Sequence, residues 1–97
     1  MTAYVIANIR IINPVLFEPY KALSTIAVKS YGGHFLVRGG RTESAEGTWD
    51  PDRLTVIEFP SWERASAYVH SEEYGKAREA RRAAAFFDMI IVEGIQG

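Results

Sequence analysis

Six segments of changing hydrophobic period follow one another along the chain: strand-like, helical, strand-like, strand-like, helical, strand-like. Residues 3–12 are rich in β-branched side chains, and Asn13-Pro14 then supplies a helix start. Asn accepts hydrogen bonds from free N–H groups at an N-cap, and Pro suits the first helical position because its missing N–H would have had no partner there. Leu16, Tyr20, Leu23 and Ala27, with Ile26 and Ser30 beside them, recur every three or four residues up to a stop at Gly32-Gly33. Pro19 deletes one backbone bond in this stretch, which predicts a tight opening turn with the regular helix starting near Glu18. A second strand, His34–Arg38, lies between two glycine pairs, and residues 41–46 read as a short extension of it before the turn Trp49-Asp50-Pro51-Asp52. Residues 53–59 form a third strand, stopped by Pro60-Ser61. Trp62, Ala65 and Val69 give a short helical seam; Ser71-Glu72-Glu73 restarts a helix with acidic residues where the dipole favours them, and Tyr74, Ala77, Arg81 and Ala84 continue its inner face. Residues 87–95 close the series as a fourth strand. The order βαββαβ is the ferredoxin-like split pattern of the α+β class, a four-stranded antiparallel sheet with both helices on one face, and residues 1–97 read as one domain.

Alternation divides each strand between two faces. One set is nearly pure hydrocarbon: Val5, Ala7, Ile9; Phe35, Val37; Thr55, Ile57, Phe59; Ile90, Val92, Gly94. The other mixes apolar centres with polar strand ends: Tyr4, Ile6, Asn8; His34, Leu36, Arg38; Leu54, Val56, Glu58; Met89, Ile91, Glu93. Neither resembles a solvated surface, yet two helices cover only one face. The uncovered face would be an apolar patch of the size that marks an interface, so a homodimer packed sheet against sheet is predicted. Alternation alone leaves open which set faces the helices.

Composition removes several classes of function. A hydrophobic share of 47% supports a packed core and excludes disorder. Eleven Lys plus Arg against 12 Asp plus Glu give a net charge of −1, which argues against a nucleic-acid or anionic-membrane partner. With no cysteine the chain has no disulfide, thiolate ligand or thiol nucleophile. His34 and His70 share no close ligand spacing, so no metal site is expected. No apolar run reaches the ~18 residues of a membrane span, and Met1-Thr2-Ala3-Tyr4 lacks a basic signal-peptide start; a soluble, cytoplasmic protein is the expectation.

The string Tyr31-Gly32-Gly33-His34-Phe35-Leu36-Val37-Arg38-Gly39-Gly40 resembles a bacterial family of uncharacterised proteins, the domain of unknown function 1330 family. Ala3-Tyr4-Val5-Ile6, Asn13-Pro14 with Phe17 and Tyr20, Glu46-Gly47-Thr48-Trp49, residues 53–61, Ser71-Glu72-Glu73-Tyr74 and Val92-Glu93-Gly94 agree in order, so the likeness covers almost the whole chain. It implies membership of the dimeric α+β barrel superfamily, whose members include cofactor-free monooxygenases, dismutating and haem-degrading enzymes and small-molecule isomerases, with the ligand in a cleft between helices and sheet. Asn13 stands where such proteins often place Asp, which keeps the cap and drops a charge.

Three residues are the candidate catalytic groups. His34 is suited to proton transfer near neutral pH; if Arg38 opposes Leu54 in the hairpin, His34 meets Glu58 and forms a His/carboxylate pair. A strand-end histidine making one hydrogen bond is the ordinary alternative. Arg38, with Arg53 on the adjacent strand, presents a fork for a substrate carboxylate, or else a structural ion pair. Asn8 either orients a ligand or satisfies a neighbouring backbone group. Arg53, Glu58, Tyr31, Tyr20 and Trp62 are candidate substrate contacts, the aromatics walling a pocket unless they are plain core. The expectation is a small enzyme, monooxygenase-like or isomerase-like, acting on a small organic molecule without a cofactor; the competing expectation is a non-catalytic ligand-binding or protein-interaction module.

Overall fold

Strand β1 (Ala3–Ile11) buries Ala3, Val5, Ala7 and Ile9 and leaves Tyr4, Ile6 and Asn8 half-buried, the alternation of a strand with one face packed. In the computed structural model, which describes residues 1–95, β1 is joined by β2 (His34–Arg38), β3 (Leu54–Phe59) and β4 (Ala85–Glu93) in the antiparallel order β2-β3-β1-β4. Helices α1 (Pro14–Ser30), α2 (Trp62–Val69) and α3 (Glu72–Ala80) complete the ferredoxin-like arrangement. The core lies between them and the inner sheet face, where Val5, Ile57 and Phe59 meet Phe17, Val28, Tyr68 and Tyr74.

The helix starts follow from side-chain caps. Asn13 Oδ1 accepts from the N–H groups of Val15 (3.1 Å) and Leu16 (3.2 Å). Contrary to the expected tight opening turn, α1 runs unbroken through Pro19. The one carbonyl that Pro19 fails to serve belongs to exposed Val15, where solvent is free to replace the lost N–H. The buried face of α1 is also rotated from the expected one: Phe17, Tyr20, Ser24, Ala27 and Val28 point inward, whereas Leu16 and Ile26 are exposed. Ser71 divides α2 from α3 by donating to the Tyr68 carbonyl (2.7 Å) while accepting from the Tyr74 N–H (3.0 Å), so the second helical region is two helices.

Three strand expectations are corrected. First, β4 spans Ala85–Glu93 with the opposite phase: Ala85, Phe87, Met89 and Ile91 belong to the inner face, and Ile90 and Val92 oppose Ile6 and Tyr4 on the outer one. Its apolar run carries no alternation that could have set the phase. Second, β2 carries a bulge, so that Leu36 and Val37 share the place opposite Val56 and Arg38 falls opposite Thr55 instead of Leu54. His34 does oppose Glu58. Third, residues 41–46 form no strand; Gly39 turns the chain away at φ 75° with its N–H on the Leu54 carbonyl (2.8 Å), and the exposed segment beyond has no ladder partner.

Gly33 shows how tightly the β2 end is packed. A Cβ there would lie 2.5 Å from the ring of fully buried Phe59, so glycine is required for close approach.

Candidate functional site

The bulge in β2 builds the site. By swinging Arg38 from the outer to the inner face it sends a guanidinium across the gap between sheet and helix, where it donates to Thr25 Oγ1 (2.9 Å) and to the Lys21 carbonyl (3.1 Å) on α1. On the way it covers the Phe35 ring, with 4.0 Å to the centroid, a stacking contact that suits a weakly hydrated guanidinium. Under it opens a cleft of about 360 Å³, its mouth included, walled by Phe17, Phe35, Ile57 and Met89 and edged by Tyr20, Ser24, Lys21, Thr55 and Arg53. With Arg38 in this position the enclosed part admits little more than a water molecule, and anything larger would have to displace Arg38.

The charge around the cleft is one-sided. Lys21 pairs with Glu18 (3.1 Å), but among the described residues neither Arg38 nor Arg53 has a carboxylate partner. Arg53 lies against Gly39, where a Cβ would come within 2.6 Å of its Nη1; the glycine therefore makes room for the guanidinium as well as permitting the turn. Burial holds the Arg38 pKa below the ordinary arginine value, and the charge of Arg53 lowers it further against the opposing pull of the Tyr20 and Tyr68 phenols. Arginine stays ionised through such a shift. Burial, reinforced by Tyr74 and Tyr68, pushes the Tyr20 phenol far above its ordinary value, so it stands at neutral pH as a neutral O–H.

Of the eight candidate residues, Arg38, Arg53 and Tyr20 come together at this cleft. Asn8 lies on the outer face and serves the adjoining turn: its Oδ1 accepts from the N–H groups of Asp52 (2.9 Å) and Arg53 (3.3 Å), and its Nδ2 donates to Asp52 Oδ2 (3.3 Å). It therefore reaches the site only by fixing the backbone of Arg53. His34 Nε2 meets Glu58 Oε1 at 3.0 Å, the expected pair, but on the outer face and away from the cleft, with the imidazole largely in solvent and Glu58 half-buried. Tyr31 packs on Tyr68 and donates to Glu73 Oε1 (3.1 Å), and Trp62 begins α2 half in solvent; neither lines the cleft.

A family model for a domain of unknown function, DUF1330, matches residues 2–95. The chain belongs to the DUF1330 family. Among curated proteins none matches it. Similar solved structures include a protein of unknown function from Rhodopseudomonas palustris, at 16% identity and TM-score 0.74 over 99% of this chain and 84% of that one. SnoaB, a cofactor-independent oxygenase from Streptomyces nogalater, is 12% identical with TM-score 0.69 over 99% and 95% of the two chains. A dimeric protein of unknown function and ferredoxin-like fold from Bacteroides fragilis is 12% identical with TM-score 0.55 over 96% of each. At such identities the likeness shows the fold and leaves the chemistry to the site itself.

In this DUF1330 chain the site members that sequence reasoning missed are Ser24, Lys21, Thr55 and the walls Phe17, Phe35, Ile57 and Met89. Ser24 carried a usable signal, since it follows Tyr20 by four residues and so shares its helix face. Met89 could not be found, because its face depended on the unreadable phase of β4.

Proposed function

We propose that this chain is the one-domain subunit of a small cytoplasmic homodimer that binds a small organic anion in the helix–sheet cleft and acts on it without a cofactor, in a monooxygenase-like or isomerase-like reaction. The observation that carries this reading is the convergence of Arg38 and Arg53, both without a carboxylate, on a cleft with apolar walls. An anion entering there exchanges the bonds of the Arg38 guanidinium to the uncharged oxygens of Thr25 and Lys21 for bonds to an opposite charge, which a carboxylate can accept two at a time. The guanidinium that covers the mouth thus becomes the group that holds the ligand. Among the described residues the lining has no imidazole and no carboxylate, so the substrate must arrive ionised or lose its proton readily. The protein then contributes stabilisation of negative charge inside a site closed to water. SnoaB, a cofactor-independent oxygenase of the same fold, supports the enzymatic form of the reading. The same lack of a proton-abstracting group favours the second reading, a ligand-binding module without turnover.

The dimer rests on the outer sheet face. Ile90 is 59% exposed, Leu36 51% and Val92 40%, next to half-buried Tyr4, Ile6, Leu54 and Val56. A continuous apolar surface of this kind is what a second copy would cover.

The test is a thermal-shift screen of small carboxylates, phenols and quinones on wild type, Arg38→Gln and His34→Gln. A ligand at a hundred times its Kd adds about 2.7 kcal/mol, several degrees for a chain of this size. The expected pattern is a shift in wild type and His34→Gln that vanishes in Arg38→Gln. The reverse pattern returns the site to His34, and silence from every anion sinks the cleft reading. Consumption of a compound that gives a shift then separates enzyme from binding module.

A further inference from the structure

Between β2 and β3 the chain makes an excursion that its own fold does not use. Residues 39–53 join the two strands without a helix or strand of their own, and every residue from Gly39 to Asp50 is exposed. Connections of this length without secondary structure are uncommon in compact domains and mostly functional. Among the described residues, the side chains from Gly40 to Asp50 make one hydrogen bond, from Ser44 Oγ to the Glu46 carbonyl at 3.5 Å, within the arm itself. Yet the arm carries Trp49, a large apolar ring 65% exposed to solvent. Glu43, Ala45, Glu46, Trp49 and Pro51 wall an open groove of about 620 Å³, its solvent side included, together with Leu54. Leu54 opposes Asn8 and so belongs to the outer sheet face assigned above to a second copy. None of the residues from Gly40 to Asp52 lines the helix–sheet cleft.

The far edge of the same face carries a matching knob. Phe86 on β4 lies opposite Arg10 of β1, one outer-face position past Asn8 and its partner Leu54, so it stands at the end of the sheet from which the arm springs. It is 63% exposed, and exposed Arg10 beside it has no carboxylate partner among the described residues. Groove and knob thus share one end of the sheet, but β1 and β3 separate β4 from β2 within a subunit. A twofold axis running along the strands, between two outer faces, lays β4 of each copy over β2 of the other without exchanging the ends. That operation carries each Phe86 to the other copy's arm.

We infer that residues 39–53 are an arm that clasps a second copy of this chain, with Phe86 of that copy seated between Trp49 and Leu54 and its Arg10 reaching Glu43 and Glu46. The inference rests on the dimer reading above, and it adds the axis that relates the copies and the contact that closes them. Aromatic rings set into a groove are the anchors that carry most of an interface's binding energy. The acidic arm against a free guanidinium fixes the register of the two copies more than their affinity. Symmetry makes the contact twice, once at each end of the pair.

Analytical ultracentrifugation over a dilution series tests this on wild type, Trp49→Ala, Phe86→Ala and the double variant. Each single variant is expected to weaken the dimer about a hundredfold, about tenfold for each of the two equivalent contacts. The double variant should weaken it little further, because both changes empty the same contact. Circular dichroism should stay unchanged, since both side chains lie in solvent in the isolated subunit. The lack of native cysteine allows a second measurement. Trp49→Cys and Phe86→Cys proteins, mixed, left to exchange subunits and oxidised, should give a covalent pair that neither forms alone. Single variants that dimerise as tightly as wild type, losses that add in full in the double variant, or a mixture that fails to cross-link overturn the clasp and leave the dimer standing. A monomeric wild type removes the dimer reading first and the clasp with it.

Discussion

Replacing Ile90 with Asp puts a carboxylate on the outer sheet face next to Ile6, where the account places a second copy of the chain. Ile90 is 59% exposed in the isolated subunit, so its fold should tolerate the change. Complete burial of an isoleucine side chain is worth ~1.5–3 kcal/mol, and roughly three-fifths of that, ~1–2 kcal/mol, remains to be gained on association. Twofold symmetry doubles the figure, because each copy contributes its own Ile90. A carboxylate forced into the same seam adds a desolvation cost of several kcal/mol per ion. The sum is at least ~5 kcal/mol, which at about 1.4 kcal/mol per decade weakens the dimer by more than about a thousandfold. Light scattering at micromolar concentration should give a dimeric mass for wild type and a monomeric one for Ile90→Asp, with unchanged circular dichroism. A monomeric wild type, or a variant that stays dimeric, would refute the reasoning.

Two further outcomes follow from the packing and from the buried phenols. Gly33→Ala should destabilise by ~1–3 kcal/mol, because its Cβ collides with the immobile Phe59 ring, and Tm should fall by roughly 5 °C or more; an unchanged Tm would show that the β2 end yields. The phenols of Tyr20 and Tyr68 have folded pKa values raised above the unfolded value of about 10, so their contribution to stability is complete below about pH 10 and is lost progressively as pH rises from there towards the folded values. Above about pH 10 each phenol removes about 1.4 kcal/mol per pH unit, so urea midpoints should change little up to about pH 9 and drop steeply from about pH 10 to about pH 11; equal midpoints would contradict the burial of these groups.

The fold was readable where local chemistry and periodicity agreed. Asn13-Pro14 announced α1, the alternation of β1 and β3 set their faces, and His34 was matched to Glu58 across the hairpin. The site was less readable because it depends on one irregularity and one silent strand. A bulge at Leu36-Val37 reverses the side-chain parity of everything after it, and no residue in the stretch between two glycine pairs demands it. It moves Arg38 off the face of His34 and onto the cleft, so the pair of residues first placed together is separated by the sheet. In β4, seven apolar side chains around a single Asp give no alternation, and Met89 and Ile90 lie on the faces opposite to those expected. Asn8 reads from the sequence as a polar group in a mixed face, but its partners, the N–H groups of Asp52 and Arg53, sit 44 and 45 residues away, beyond the reach of spacing arguments.

The central claim is that Arg38 and Arg53 receive an organic anion between α1 and the inner sheet face. The most direct measurement is an NMR titration of the isotope-labelled protein with benzoate, following backbone amides and arginine Nε–H signals together. Saturable shifts are expected at Arg38, Arg53, Tyr20, Ser24 and Thr25, with Thr25 moving as Arg38 leaves its hydroxyl, while His34 and Glu58 on the opposite face stay still. Shifts gathered at His34 and Glu58, or none at Arg38 under saturating benzoate, would contradict it.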